Sequence, residues 1–404
     1  MSLTRLIEGS SSRDCAESAV QILTRAGACC ELKLPDSDLI QIGSGEPTFR
    51  VTFKTDRALR AVPNELALAR AYVEGDIDLD GDLMTLLHVR PQLTDVATPS
   101  QKVQFGIQLF LRRPTKVNLQ AVNFHYTLGD DFYLNFIDQR YRFYSQCLFP
   151  TGQETLEQAA EHKLESMWAA LELRPGMRLL DIGGGWGGVT EYCGARGVHV
   201  TTLTLADDSA RYIRNLIHEQ SLPGEVIVED VLAHVPREPY DHAVIFGVIE
   251  HIPNYRRFCQ RLWDTLKPHG RLYLDASAME EKYAVAAFVR QYIYSGTHTF
   301  LALPDLIEEL LFHGFEIVEV RRETRDYELT MAHWASRFEN KRDEIIPRWG
   351  DARYRAWRMY LWSGAHAFKT NDLQAYHLVA ERRTDPGPRP GVRRRCGHFL
   401  RSLP

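Results

Sequence analysis

Asp181 closes a short apolar run, Arg178-Leu179-Leu180-Asp181-Ile182, and the next six residues hold five glycines, Gly183-Gly184-Gly185-Trp186-Gly187-Gly188. Glycines let a backbone come close to a ligand. Gly183, Gly185 and Gly188 fit the GxGxxG turn of dinucleotide folds, which alone is a weak signal. Asp181 extends the pattern to D-x-G-x-G-x-G, and a carboxylate there suits a positively charged ligand better than a pyrophosphate. Trp186 reads as exposed, so the turn would weaken the fold for no packing gain if it bound nothing. Further along, Glu250 taken without its motif context reads first as a carboxylate that merely starts a helix and only second as a chemical one. Tyr144 and Tyr327 read as site aromatics or as core. No CxxC pair suggests zinc, and the seven scattered cysteines make a poor disulfide framework suited to a reducing compartment.

The elements that must position these residues follow from length and periodicity. A chain of 404 residues exceeds the size at which one core usually stops growing, so two folded units are expected. A hydrophobic share of 44% with 25% charged residues excludes global disorder, and a net charge of -5 argues against a nucleic-acid binder. No apolar run approaches the roughly 18 to 20 residues that cross a bilayer, and the N-terminus carries charges where a signal peptide is apolar, so a cytoplasmic protein is expected. Residues 1–98 read as a small α+β domain, with a helix over Cys15 to Arg25, alternating segments at 31–34 and 49–53, and helices at 65–73 and 83–88. Residues 99–122 form a linker whose apolar stretch, flanked by Lys102, Arg112, Arg113 and Lys116, is either a helix packed between domains or one lying in an anionic lipid interface. Residues 123–384 alternate helices with strands at 178–182, 198–205, 226–228, 243–246, 271–274 and 317–320, the rhythm of a doubly wound, mainly parallel sheet with ligands at the carboxyl ends of its strands. From Arg382 onward there are seven arginines against one acid, so 385–404 reads as a basic disordered tail.

The glycine turn resembles that of class I S-adenosylmethionine-dependent methyltransferases, whose cofactor carries a sulfonium and an ammonium. From about Arg57 to Arg382 the chain resembles the cyclopropane-fatty-acid synthase family, which includes the mycolic acid cyclopropane synthases. Carrying the likeness in order are Ala71-Tyr72-Val73-Glu74-Gly75-Asp76 with Gly81-Asp82-Leu83, and His125-Tyr126-Thr127-Leu128-Gly129-Asp130-Asp131-Phe132-Tyr133 against HYDxGNDFY. The 181–188 turn against DIGCGWGG, Glu250-His251, Phe288 to Ile293, Tyr327-Glu328-Leu329-Thr330 and Tyr354-Arg355-Ala356-Trp357 complete it. The resemblance implies a class I (Rossmann-like) α/β fold and methyl transfer onto a cis double bond of a lipid acyl chain, followed by proton loss that closes a cyclopropane. It implies that Tyr144, Ser145, Gly183, Gly185, Trp186, Thr204 and Leu205 contact the cofactor, with Asp181 and Gly187 in the same turn, and that Glu250 and Tyr327 face the acceptor. The implied partner is an unsaturated acyl lipid, a phospholipid first of all, met by peripheral contact at the inner face of the membrane. No nucleic acid or metal is implied, and a homodimer stays open.

An alkene is a weak nucleophile, so the methyl must be held about 3 Å from the π bond in a dry pocket. Aromatic faces can stabilise the resulting cation, which suits a region containing Phe143, Tyr144, Phe288, Tyr292, Tyr294 and Tyr327. By resemblance the base is a bicarbonate ion held by the cysteine of a YSC motif, the Glu at 250, a His-x-Ile segment and the Tyr at 327. Here those segments read Tyr144-Ser145-Gln146, with Cys147 one place late, and Asp275-Ala276-Ser277. The added carboxylate argues against simple bicarbonate binding and suggests Asp275, beside Glu250, as an internal base. A methyltransferase for a non-lipid acceptor and a non-catalytic lipid-binding homologue remain as alternatives.

Overall fold

The computed structural model describes residues 12–35, 39–94, 129–252, 254–280, 282, 285–294 and 299–386. The expected linker helix and the tail beyond Pro386 lie outside these residues, as do His125 to Leu128.

The chain divides into two compact units, and the division is not linear. The N-terminal unit joins the described residues up to 94 with Ala286–Ile293 and Phe338–His366. Its four-stranded sheet has the order β2-β1-β3-β4, with β1 Cys30–Lys33, β2 Leu39–Ile42, β3 Phe49–Phe53 and β4 Ile77–Gly81. Helix Glu65–Val73 begins where its sequence demands, since the Asn64 side chain accepts the Ala67 amide and so satisfies one orphan donor of the first turn. Arg355 and Arg358 donate to main-chain oxygens of Ile77 and Leu79, which ties helix Asp351–Lys369 to β4.

The second unit carries a seven-stranded sheet of order β10-β11-β9-β8-β5-β6-β7. Its strands are β5 Arg178–Ile182, β6 His199–Thr204, β7 Gly224–Val228, β8 Tyr240–Phe246, β9 Leu266–Ala278, β10 Phe315–Arg322 and β11 Gln374–Arg382. From β9 to β7 all neighbours are parallel, whereas β11 runs antiparallel to both β9 and β10. The apolar run of β5 and the 200–204 stretch of β6 are buried because helices cover both faces of a parallel sheet. The chain steps outward from β5 to β6 and β7, then crosses back to β8 and β9. Strands β5 and β8 therefore flank the switch point, and the crevice beyond their carboxyl ends is where such sheets bind ligands. Helix Leu156–Ala170 starts in a capping box, with the Thr155 hydroxyl and Gln158 amide each serving the other's backbone, and buries Leu156, Ala159, Ala160, Lys163, Leu164 and Met167 along one stripe. No helix among the described residues is long and apolar enough to cross a membrane.

Candidate functional site

The turn after β5 assigns different work to its glycines. A β-carbon on Gly183 would lie 2.3 Å from a Val248 methyl, and one on Gly184 would lie 2.0 Å from a Thr202 methyl. Gly187 would meet Leu216 at 2.9 Å, and Gly188 the Tyr141 carbonyl oxygen at 2.4 Å. Packing of neighbouring protein requires these four. Gly185, with a φ of +52°, differs because nothing lies within 4 Å of the place a β-carbon would take. A ligand can approach the backbone there.

Beside this opening Asp181 is 3% exposed at the end of β5 and accepts a hydrogen bond from the Thr202 hydroxyl at 3.3 Å. Burial pushes its carboxyl up to about 7. Thr204 is buried and Leu205 half-buried where the adjacent β6 ends. An open glycine cradle next to a buried carboxylate fits the sulfonium and ammonium of S-adenosylmethionine. Trp186 is not exposed as its position suggested. It is 2% exposed, its ring centroid lies 5.5 Å from that of Tyr133, and Arg142 donates to its carbonyl oxygen, so the glycine-rich turn does gain packing. Tyr144 is half-buried and stacks on Trp334 with centroids 5.1 Å apart, and Ser145 is buried next to it.

Of the two residues expected to face the acceptor, Glu250 follows β8 directly and Tyr327 lies on helix Thr324–Asn340. Gly247 has a φ of +62°, and a β-carbon there would lie 3.1 Å from the Ser145 side chain, while Val248 packs on Gly183. The turn leading to Glu250 is thus pressed against both the 144–147 segment and the glycine turn. Glu250 sits on the short 3-10 turn Ile249–His251 and is 3% exposed. Its Oε1 accepts from both the amide and the hydroxyl of Ser277, each at 2.9 Å, whereas the buried Oε2 has no hydrogen-bond partner among the described residues. Burial pushes this carboxyl up to about 7, and the negative charge of Asp275 adds a smaller upward push. Burial lowers the adjacent His251 to about 4 and so keeps it neutral near pH 7. Tyr327 stacks on Phe368 at 4.4 Å and meets Trp334 edge-on at 6.3 Å, so one indole bridges Tyr144 and Tyr327. The Tyr144 and Tyr294 hydroxyls are 3.4 Å apart. Phe288 and Tyr292, expected with these rings, belong to the N-terminal unit and pack on its core.

Asp275 lies within β9, and its partner went unnoticed in the sequence. Its Oδ2 is 2.7 Å from the Lys163 ammonium, and its Oδ1 accepts the Gly247 amide at 3.0 Å. Lys163 also donates to the Ser145 hydroxyl at 2.6 Å and the Gln146 carbonyl oxygen at 2.9 Å, and it lies 3.9 Å from the centre of the Phe246 ring. Burial pushes the Asp275 carboxyl up and Lys163 pulls it back, to about 6. The sequence reading paired Asp275 with Glu250 as two carboxylates; the partner the structure supplies is a cation, and both Asp275 oxygens are engaged. Gln146 donates to Glu323, which in turn holds His377. Cys147 is fully buried, which holds its thiol well above the usual range and leaves no reactive thiolate.

Comparison with known proteins bears on the family and the fold. Residues 113–378 match the family described as mycolic acid cyclopropane synthetase. A probable fatty acid methyltransferase of Mycobacterium tuberculosis is 26% identical over 395 residues, covering 88% of this chain and 92% of its own. The cyclopropane-fatty-acyl-phospholipid synthase of Escherichia coli is 26% identical over 271 residues, covering 66% of this chain and 68% of its own. The solved cyclopropane synthase MmaA2 of Mycobacterium tuberculosis superposes with a TM-score of 0.60 at 24% identity, over 68% of this chain and 99% of that one, and shares the fold. The turn, the strand order and the extent of the family match lead to one assignment: the chain belongs to the mycolic acid cyclopropane synthetase family and is an S-adenosylmethionine-dependent methyltransferase.

Proposed function

We propose that the enzyme methylates a carbon of a double bond in an unsaturated fatty-acyl chain carried by a phospholipid. The observation that supports this most is the buried Glu250 carboxylate, with one oxygen unpartnered, on a turn packed against the cofactor turn of a chain in this family. Methylation of an oxygen or nitrogen leaves a heteroatom proton that water can take. Methylation of an alkene leaves a carbocation that needs a dry pocket and a placed base.

When bound, S-adenosylmethionine supplies an electrophilic methyl: the π pair of the alkene makes the new carbon–carbon bond, the sulfur keeps the old bonding pair, and the positive charge passes to the acceptor. Tyr144, Trp334 and Tyr327 form the aromatic group that would face this charge. Loss of a proton from the added methyl closes a cyclopropane, or gives a methylene group after a hydride shift. Loss from the neighbouring chain carbon gives a methyl-branched alkene. Every route releases one proton and adds one CH2 unit to the lipid, with no reductant needed.

An acyl acceptor of this kind comes from a membrane. The apolar 102–116 segment with its basic flanks and the arginine-rich tail support peripheral contact with the anionic inner face. The test is incubation of purified enzyme and S-adenosylmethionine with vesicles of a monounsaturated phospholipid, followed by mass spectrometry of the acyl chains. A gain of one CH2 unit is expected. Unchanged chains, with saturable S-adenosylmethionine binding intact, would exclude the acyl acceptor.

A further inference from the structure

We propose that Glu250 itself accepts the proton released after methyl transfer, and that the buried Lys163–Asp275 ion pair is a positioning device, neither a base nor the seat of an exchangeable anion. The inference rests on the proposed alkene acceptor and adds the identity of the base.

The division of labour follows from which oxygens are free. Both Asp275 oxygens are engaged, Oδ2 by the Lys163 ammonium at 2.7 Å and Oδ1 by the Gly247 amide at 3.0 Å. Lys163 holds the Asp275 carboxyl below where burial alone would put it, and protonating Asp275 would strand that buried cation. Glu250 is arranged the other way. Ser277 fixes Oε1 with two hydrogen bonds and thereby orients the group, while Oε2 is buried with no partner among the described residues. A buried acceptor oxygen without a donor is costly unless a ligand or a reaction uses it. Burial pushes Glu250 up to about 7, where it is partly ionised at neutral pH and basic enough to hold the proton it takes.

The ion pair has a different and identifiable task. Lys163 reaches from helix Leu156–Ala170 to the Ser145 hydroxyl and the Gln146 carbonyl oxygen, while Asp275 reaches from β9 to the Gly247 amide. One salt bridge therefore fastens the 144–147 segment to the turn that carries Glu250. The segment and the turn already touch where Gly247 packs on Ser145, and the ion pair braces that contact. With Lys163 already satisfied by three oxygens, it is not available to hold an exchangeable anion.

The experiment follows methyl transfer to monounsaturated phospholipid vesicles in buffer freed of carbon dioxide, for the wild type, Glu250→Gln, Glu250→Ala, and the charge-neutral pair Lys163→Met with Asp275→Asn. The pair is replaced jointly so that no lone buried charge unfolds the protein, and thermal melts with S-adenosylmethionine titrations check folding and cofactor binding for each. The wild type should turn over without bicarbonate. Glu250→Gln should bind S-adenosylmethionine normally and lose about 10²- to 10⁴-fold in turnover. Added formate should restore part of the Glu250→Ala activity, which a purely structural role would not allow. The double replacement should keep turnover within about tenfold. Full activity in Glu250→Gln, a bicarbonate requirement in the wild type, or loss of turnover in a folded double variant comparable to that of Glu250→Gln would each overturn the inference. A wild type that methylates no lipid under any condition would instead refute the acceptor assignment.

Discussion

At the residue scale the glycine turn makes opposite predictions for residues two apart. Gly185→Ala places a methyl group in open space, so the fold should lose only the roughly 1 to 2 kcal/mol of a left-handed non-glycine residue while S-adenosylmethionine affinity falls at least about tenfold. Gly183→Ala drives a β-carbon into Val248 and should lower thermal stability more than Gly185→Ala does. Calorimetry with thermal melts checks both, and unchanged affinity in Gly185→Ala would contradict the cradle. Asp181→Asn should weaken binding by roughly 1 to 3 kcal/mol, the size of a lost charge-assisted contact. Glu250 carries a pH signature. Its carboxyl is raised from 4.5 to about 7, so between those values the folded state holds more protons than the unfolded state and stability falls as pH rises. Glu250→Gln removes this dependence, and its stability relative to the wild type should improve by up to about 3 kcal/mol on going from pH 4.5 to 7.5. Parallel denaturation curves across that range would show that Glu250 is not a strained acid. Asp181 and Glu250 were legible because each belongs to a short local motif. Lys163 was not, since its oxygens come from two segments distant from it in sequence, Ser145-Gln146 and Asp275. Its one local signal is a lysine at a position of the 156–167 stripe where every neighbour on that face is apolar or small.

At the scale of elements, β5 could be read to the residue, because a buried parallel strand is a continuous apolar run followed by glycine. Strand β11 was missed. Its Gln374-Ala375-Tyr376-His377 opening mixes polar and apolar residues, and His377 can be buried only because Glu323, from outside the strand, is hydrogen-bonded to it. Strand β9 proved longer than its 271–274 core, which moved Asp275 and Ser277 from beyond the strand into the sheet. The pair Lys163–Asp275 joins β9 to helix Leu156–Ala170, and its energetics are testable by urea denaturation. Asp275→Asn alone strands a buried ammonium and should cost roughly 3 to 5 kcal/mol, whereas the double replacement with Lys163→Met should recover most of that loss. Additive losses would mean that the two side chains are not coupled.

At the scale of the whole molecule, the α+β and doubly wound parts were both legible, but the N-terminal unit also recruits Ala286–Ile293 and Phe338–His366, which no linear reading of composition reveals. The basic tail makes a prediction of its own. Removing residues 387–404 should leave the melting temperature unchanged and reduce sedimentation with anionic liposomes, and equal sedimentation would discard its role. The most direct measurement is mass spectrometry of monounsaturated phospholipid after reaction with S-adenosylmethionine bearing a fully deuterated methyl, in buffer freed of carbon dioxide. Label is expected in the acyl chain of every product without added bicarbonate, with one deuteron lost if the proton leaves the new methyl and none lost if it leaves the chain. Lipid without label, or label that appears only when bicarbonate is restored, would contradict it.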